Sequence, residues 1–187
     1  MRVITGSARG TRLAVPDGVQ VRPTIERVKE AIFSAIQFEL AGRVVLDLFA
    51  GSGQMGIEAL SRGAQSCDFA DSASAAIRVI EENIVRCGFE ARAAVRQQSW
   101  IRFLQQTDRR YSLVFVDPPY RMELGLKVLN MLLSEGRLTD DAIVVCELQA
   151  DRTLPDEVGT LLQTKNKKYG SSRVLFYVNR PPLQKGE

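Results

Sequence analysis

Histidine is missing from all 187 residues. That excludes Ser-His-Asp and Cys-His nucleophilic chemistry and histidine-metal sites together, so catalysis must draw on carboxylates, backbone groups, aromatics or a cofactor. Cysteine is scarce. Cys67, Cys87 and Cys146 stand far apart, form no CxxC pair and mostly have apolar neighbours, which favours buried free thiols over a zinc ribbon or redox motif. No apolar run nears the roughly 20 residues of a membrane span. The opening MRVITGSARG lacks the apolar stretch of a signal peptide. A soluble cytoplasmic protein without membrane contact is expected. No internal repeat, low-complexity tract or long Pro/Gly/Ser linker divides the chain, so its length suits one domain with a short extension.

Charge is unevenly spread. Residues 1–30 carry six basic and three acidic side chains, and residues 165–187 carry six basic and one acidic. The net charge is only +3, so the middle is acidic. Basic ends around an acidic centre suit a polyanion held by the termini; an unevenly charged solvated surface is the plainer alternative.

RVIT and RLAV at residues 2–5 and 12–15 flank a glycine-containing turn, which predicts a small hairpin in residues 1–22. Pro23 and Thr24 then open a helical pattern, with Ile25, Val28, Ile32, Phe33 and Ile36 at helical spacing and Thr24 able to cap it. From there strand-like runs (44–49, 67–70, 91–96, 113–116, 142–147) alternate with helix-like segments (55–62, 73–87, 99–106, 122–135). Such alternation builds a parallel sheet with helices on both faces. After residue 150 the rhythm changes to two strands, 160–167 and 173–179, around Tyr169-Gly170-Ser171. The expected fold is a doubly wound α/β sheet, mostly parallel, ending in an antiparallel pair, over residues 23–187.

VVLDLFAGSGQMGIEAL reads as a buried strand, a glycine turn and a helix, with Gly51, Gly53 and Gly56 spaced G-x-G-x-x-G. Small residues at the turn let a ligand approach the backbone and the helix N–H groups. Asp71 closes the next strand, where a carboxylate can accept both ribose hydroxyls of a nucleoside. The pattern alone suits NAD or S-adenosylmethionine. Asp47 and Phe49 precede the glycines as Asp-x-Phe-x-Gly-x-Gly. A carboxylate there would repel a pyrophosphate and attract the cationic groups of S-adenosylmethionine.

YSLVFVDPPY places Asp117, Pro118, Pro119 and Tyr120 after the fourth strand, at the carboxyl edge where ligands bind in open α/β sheets. Two prolines fix the backbone and remove two N–H donors. The result is an acceptor-only cluster, complementary to an exocyclic amino group with its two N–H donors. Tyr120 offers a face on which a base can stack. A rigid Asp-Pro-Pro turn without chemistry is the alternative. Glu147 ends the fifth strand near the same edge and reads as an ordinary strand-end carboxylate.

These motifs together resemble the S-adenosylmethionine-dependent methyltransferases of nucleobase amino groups. Arg22-Pro23-Thr24 with Arg27-Val28-Lys29-Glu30-Ala31-Ile32-Phe33, then LDLFAGSG, GIEALSRGA, DPPY and Lys168-Tyr169-Gly170, is similar to the bacterial 16S ribosomal RNA guanine-N2-methyltransferase family over nearly the whole chain. The resemblance implies a Rossmann-like seven-stranded sheet with a reversed last strand. It implies that Asp47 and Gly51 to Gly53 line the methionine end of S-adenosylmethionine, that Asp71 holds its ribose, and that Phe49, Gln54 and Met55 also border the cofactor, Gln54-Met55 being bulkier than the small pair expected there. It further implies that Asp117 to Tyr120 hold a guanine amino group. Where such enzymes often carry an acidic or amide residue near the adenine, this chain has Ser99, followed by Trp100.

Arg22 and Arg27 are candidates for ribosomal RNA phosphates or for the rim of the site, and Lys165, Lys167 and Lys168 on the late hairpin are further RNA contacts. The expected partner is 16S rRNA within a small-subunit assembly particle, met by a monomer without metal. The competing readings are a DNA adenine-N6 methyltransferase, a nicotinamide-dependent oxidoreductase and a non-catalytic RNA-binding module.

Overall fold

A computed structural model of the chain describes residues 1–16, 23–118 and 124–180, with side chains from residue 26 in the first helix. Helix α1 (Pro23–Ala35) leads into β1 (Val44–Leu48), α2 (Gln54–Ser61), β2 (Ser66–Asp71) and α3 (Ser74–Cys87). A short 3-10 turn precedes β3 (Ala93–Gln97), then come α4 (Trp100–Gln106), β4 (Tyr111–Val116), α5 (Gly125–Ser134) and β5 (Leu138–Gln149). The described chain closes with β6 (Glu157–Val158), β7 (Leu161–Tyr169) and β8 (Ser172–Asn179).

The strands form one sheet in the order β3-β2-β1-β4-β5-β8-β7-β6. The first five are parallel; β8 enters antiparallel to β5, and β7 and β6 continue antiparallel. Progress along the sheet reverses between β1 and β4, which leaves a crevice at their carboxyl ends. Each face has its own core. Val28, Ile32 and Phe33 of α1, with apolar residues of α2 and α3, cover Phe69, Phe115, Val145 and Phe176. On the other face Phe103 and Leu104 of α4 and Val128, Leu129 and Leu132 of α5 cover Val114, Val116, Cys146 and Tyr177.

Two expectations need correction. The sheet has eight strands, not seven, because the two residues Glu157–Val158 pair with Leu161 and Leu162; a pair so short carries no alternation pattern to read. Helix α1 begins at Pro23 itself, so Thr24 lies inside its first turn and is not its cap; proline, with no N–H to leave unmet, suits the first helical position. The small opening hairpin is present: Arg2 bridges Arg12, and the N–H groups of Val3, Gly10 and Leu13 donate to the carbonyls of Thr11, Val3 and Met1 (3.0, 2.9 and 3.0 Å). Four further N–H groups of the first arm and the turn go to α2: Ile4 and Thr5 donate to Glu58 (2.8 and 3.0 Å), Ser7 to the Ser61 carbonyl (2.9 Å) and Ala8 to Ser61 Oγ (3.0 Å).

That docking explains the polar residues in GIEALSRGA. Helix α2 is buried from Gly56 through Ser61. One side lies so close to β2 that a Cβ on Gly56 would fall 2.3 Å from the Phe69 ring and 2.5 Å from Cys67 Sγ. The arm of residues 1–10 covers the other side. Glu58, fully buried, accepts from the arm and from Arg62 Nε (2.8 Å), with Lys29 Nζ 3.5 Å away. Lys29 Nζ in turn donates to the Arg2 carbonyl at 2.7 Å. Burial lowers the Lys29 pKa, against the upward pull of Glu58.

Candidate active site

A cavity of about 690 Å³ occupies the crevice at the carboxyl ends of β1, β2, β4 and β5. Its first wall is the glycine turn. Phe49 follows β1 with φ 69°, a left-handed conformation uncommon for an aromatic residue. It is held there because its N–H and that of Ala50 both donate to the Ala70 carbonyl (3.0 and 3.1 Å). Gly51 (φ 58°) follows with open space where a Cβ would stand, so a ligand can approach the backbone. Gly53 (φ 74°) caps α2 without a side chain. The spacing G-x-G-x-x-G thus divides into a turn, a cap and a packing contact.

Two carboxylates brace this turn. Asp71 Oδ2 accepts the Gly51 N–H at 2.9 Å and Oδ1 the Ala73 N–H at 2.9 Å, and the residue lines the cavity. Asp47, only 4% exposed, lies beneath the turn and accepts the Gly56 N–H at 2.9 Å. Burial raises its pKa to about 7, with the Gly56 hydrogen bond opposing and Asp71 adding to the rise. Gln54 and Met55 face the cavity from the start of α2. Gln54 Oε1 is buried without a hydrogen-bond partner, an acceptor aimed at a space that a donor can fill. Ser99 accepts the Arg102 N–H (3.3 Å) as the cap of α4 and also reaches the cavity, beside Trp100, whose ring is tilted against Phe49 at 6.4 Å.

The opposite wall carries Asp117 and Pro118. Val116 of β4 is paired with Cys146 of β5, so the next residues along, Asp117 and Glu147, come out side by side, and both line the cavity. Asp117 is exposed and faces the cavity. Desolvation first, then the charges of Glu147 and Asp47, raise its carboxyl well above the ordinary range. Pro119 and Tyr120 lie outside the described residues, as does Arg22.

The candidate RNA contacts do not form one patch. Arg27 is exposed on α1. Lys165 and Lys167 pair with Phe176 and Val174 and so share the α1 face of the sheet, whereas Lys168 pairs with Arg173 on the other. Lys165 Nζ donates to the Ala35 carbonyl at 2.9 Å, closing the end of α1. Met1, Pro16 and Lys29 join the cavity wall without having been anticipated, as does Glu147. Only Glu147 had a readable signal, an acidic strand end next to Asp117. Among the described residues no cluster of His, Cys, Asp and Glu could hold a metal, and no helix is long and apolar enough to cross a membrane.

The family described as Conserved hypothetical protein 95 matches residues 1–178. The chain belongs to that family. Its resemblance to the 16S ribosomal RNA methyltransferases, read from the motifs, is borne out by relatives. The Escherichia coli (strain K12) protein named Ribosomal RNA small subunit methyltransferase D is 35% identical over 155 residues, 83% of this chain and 78% of that one. The Haemophilus influenzae protein of the same name is 33% identical, covering 93% of this chain and 92% of its own. Among solved structures, yhhF from Escherichia coli superposes with a TM-score of 0.87 at 32% identity, over 96% of this chain and 98% of that one.

Proposed function

We propose that this protein transfers a methyl group from S-adenosylmethionine to the N2 amino group of a guanine in 16S ribosomal RNA. The observation that carries the reading is the meeting, in one cavity, of a glycine turn braced by Asp71 with the acceptor pair Asp117 and Glu147. The names of the relatives, ribosomal RNA small subunit methyltransferases, support the substrate class.

The residues present fit the cofactor. Asp71 uses two acceptor sites on backbone N–H groups, and a carboxylate has about four, so capacity remains for ribose hydroxyls. The unpartnered Gln54 Oε1 suits an ammonium group. Phe49 and Trp100 offer apolar surface, and Asp47 adds negative charge from beneath. When bound, S-adenosylmethionine supplies an electrophilic methyl carbon on a cationic sulfur.

Asp117 holds the amino nitrogen through its N–H groups and keeps the lone pair turned toward the cofactor side. Positioning of this kind is worth up to roughly 7–11 kcal/mol of a barrier. As the nitrogen gains its methyl group it becomes cationic, and one of its protons passes to Asp117. A guanine inside folded RNA has to leave its stack to reach this depth, which favours an assembling small-subunit particle as substrate, met by one copy of the chain. We place Arg27, Lys165 and Lys167 on the side of the sheet from which RNA arrives.

Labelled methyl transfer to undermethylated small-subunit particles, free ribosomal RNA and plasmid DNA tests the reading. Label recovered as N2-methylguanosine from the small-subunit RNA is expected. Label in DNA alone, or as N6-methyladenosine, overturns it.

A further inference from the structure

The two basic ends of the chain are built differently. The lysines of β7 follow one another along a strand, whereas the opening hairpin sets two arginines against each other. Arg2 and Arg12 form its bridge, flanked by the hydrogen bonds from Val3 to Thr11 and from Leu13 to Met1 (both 3.0 Å). That pattern makes them a non-hydrogen-bonded pair, the closer of the two antiparallel arrangements, with Cα atoms about 4.5 Å apart. Val3 and Leu13 are buried in the core on the α1 side, so alternation turns Arg2 and Arg12 outward, and both are exposed.

Like charges directly opposite across two strands are unfavourable. Among the described residues neither arginine forms an ion pair. Glu58 holds Lys29 and Arg62, and Glu82 holds Arg86, so these carboxylates are already engaged. The backbone beneath the pair is tied down by cations as well. Lys29 Nζ donates to the Arg2 carbonyl (2.7 Å), and the Arg86 guanidinium donates to the Arg12 carbonyl (3.0 Å). The hairpin is also fastened to the cofactor turn. Met1 lines the cavity with its Sδ 3.6 Å from Ser52 Oγ. Asn83, fully buried, accepts the Ala14 N–H (2.8 Å) and donates to the carbonyls of Ala14 and Ser52 (both 3.0 Å). An exposed pair of like charges is thus held in place beside the cavity, with its counter-charge still to come.

We propose that Arg2 and Arg12 together grip one backbone phosphate of the RNA strand that carries the target base. The proposal rests on the methyl-transfer reading above and adds to it a contact that fixes the strand while the base occupies the cavity. A phosphate between two guanidinium groups removes their repulsion and accepts hydrogen bonds from both. Such a contact positions the strand and carries no base preference. The hairpin lies on the α1 side of the sheet, which also carries Lys165 and Lys167.

The test compares the full chain as wild type, Arg2→Gln, Arg12→Gln, the double variant and Arg2→Lys. Transfer to undermethylated small-subunit particles is followed from about 50 to 200 mM potassium chloride, with S-adenosylhomocysteine affinity and thermal midpoint in parallel. Each single glutamine variant is expected to raise KM for the particles about tenfold, the modest end for a charge-assisted contact that stays in water. Because the arginines share one phosphate, the double variant should lose much less than about a hundredfold. It should flatten the salt dependence of log KM by the share of one phosphate, about 0.7–0.9, and not of two. Arg2→Lys should recover part of the loss, since it keeps the charge without the planar fork. Cofactor affinity should stay near wild type, and the midpoint should hold or rise once one of two opposed charges is gone.

A normal KM in the double variant, or single losses that multiply, overturns the shared grip while leaving the methyl-transfer reading intact. A lowered midpoint accompanying the loss makes the arginines structural and also overturns it. Failure of wild type to label the particles removes the methyl-transfer reading, and the grip with it.

Discussion

The two walls of the cavity handle negative charge in opposite ways. On the β1–β2 side, Asp47 and Asp71 are each fastened to backbone N–H groups of the turn they support. On the β4–β5 side, Asp117 and Glu147 lie next to each other, and their mutual repulsion is one of the causes that raise the Asp117 pKa. The first pair is part of the scaffold, and Asp71 keeps acceptor capacity for a ligand besides. The second lines the opposite wall of the same cavity. The contrast teaches that acidic residues lining one cavity are not interchangeable: local hydrogen bonding ties some of them into the scaffold while like charge acts on others.

The contrast can be broken most directly at Asp117. Asp117→Asn should reduce methyl transfer about 10²- to 10⁴-fold, the range of a lost proton acceptor, with cofactor affinity changed by less than about tenfold. Calorimetric titration with S-adenosylhomocysteine beside rate measurements checks this. A much larger loss of binding would place Asp117 with the cofactor wall. Next in size is Glu58, which carries no chemistry in this scheme but ties the arm to α2. Glu58→Ala should lower unfolding free energy by about 3–5 kcal/mol in urea titration, because Lys29 is left as a buried charge without its counter-ion.

Asp47 sharpens the contrast through pH. Its folded-state pKa, about 7, lies above the unfolded value of 3.8, so the folded protein binds the extra proton between those limits. Wild-type stability therefore falls across that window as pH rises, and is lowest above it. Asp47→Asn removes the titration and keeps an acceptor for Gly56. Thermal unfolding should show no gain for the variant near pH 4 and a growing gain toward pH 8, by at most about 4 kcal/mol at 1.36 kcal/mol per unit. The smallest effect belongs to packing. Gly56→Ala, whose methyl would press on Phe69 and Cys67, should cost about 1–3 kcal/mol by the same method.

Much of this was legible in the residues. Strands buried on both faces, such as Val44–Leu48 and Tyr111–Val116, announce themselves as apolar runs, and the glycine turn and Asp117-Pro118 are short-range patterns bound to those strand ends. Residues brought in over long distances carried less signal. Lys29 enters the cavity wall beside Glu58 of α2, and Met1 beside Ser52 of the glycine turn, and no local periodicity encodes either. Glu58 and Ser61 were noticed as part of a family-specific stretch, yet their role as anchors for an arm appears only when their partners are in place. The lysines of β7 looked like one cluster because they are neighbours in sequence. Strand alternation sends Lys168 to the face opposite Lys165 and Lys167.

Strand β7 has one further consequence. Beyond Leu162 its outer side has no neighbouring strand among the described residues, since β6 pairs only with Leu161 and Leu162. An open sheet border invites a second molecule to add its own strand, and Lys165, Lys167 and Lys168 are the kind of charge that discourages this. Alanine scanning of these positions for RNA affinity would thus also remove a guard against self-association. Replacement by glutamate keeps the border charged, and with it the two effects can be told apart in a sedimentation profile.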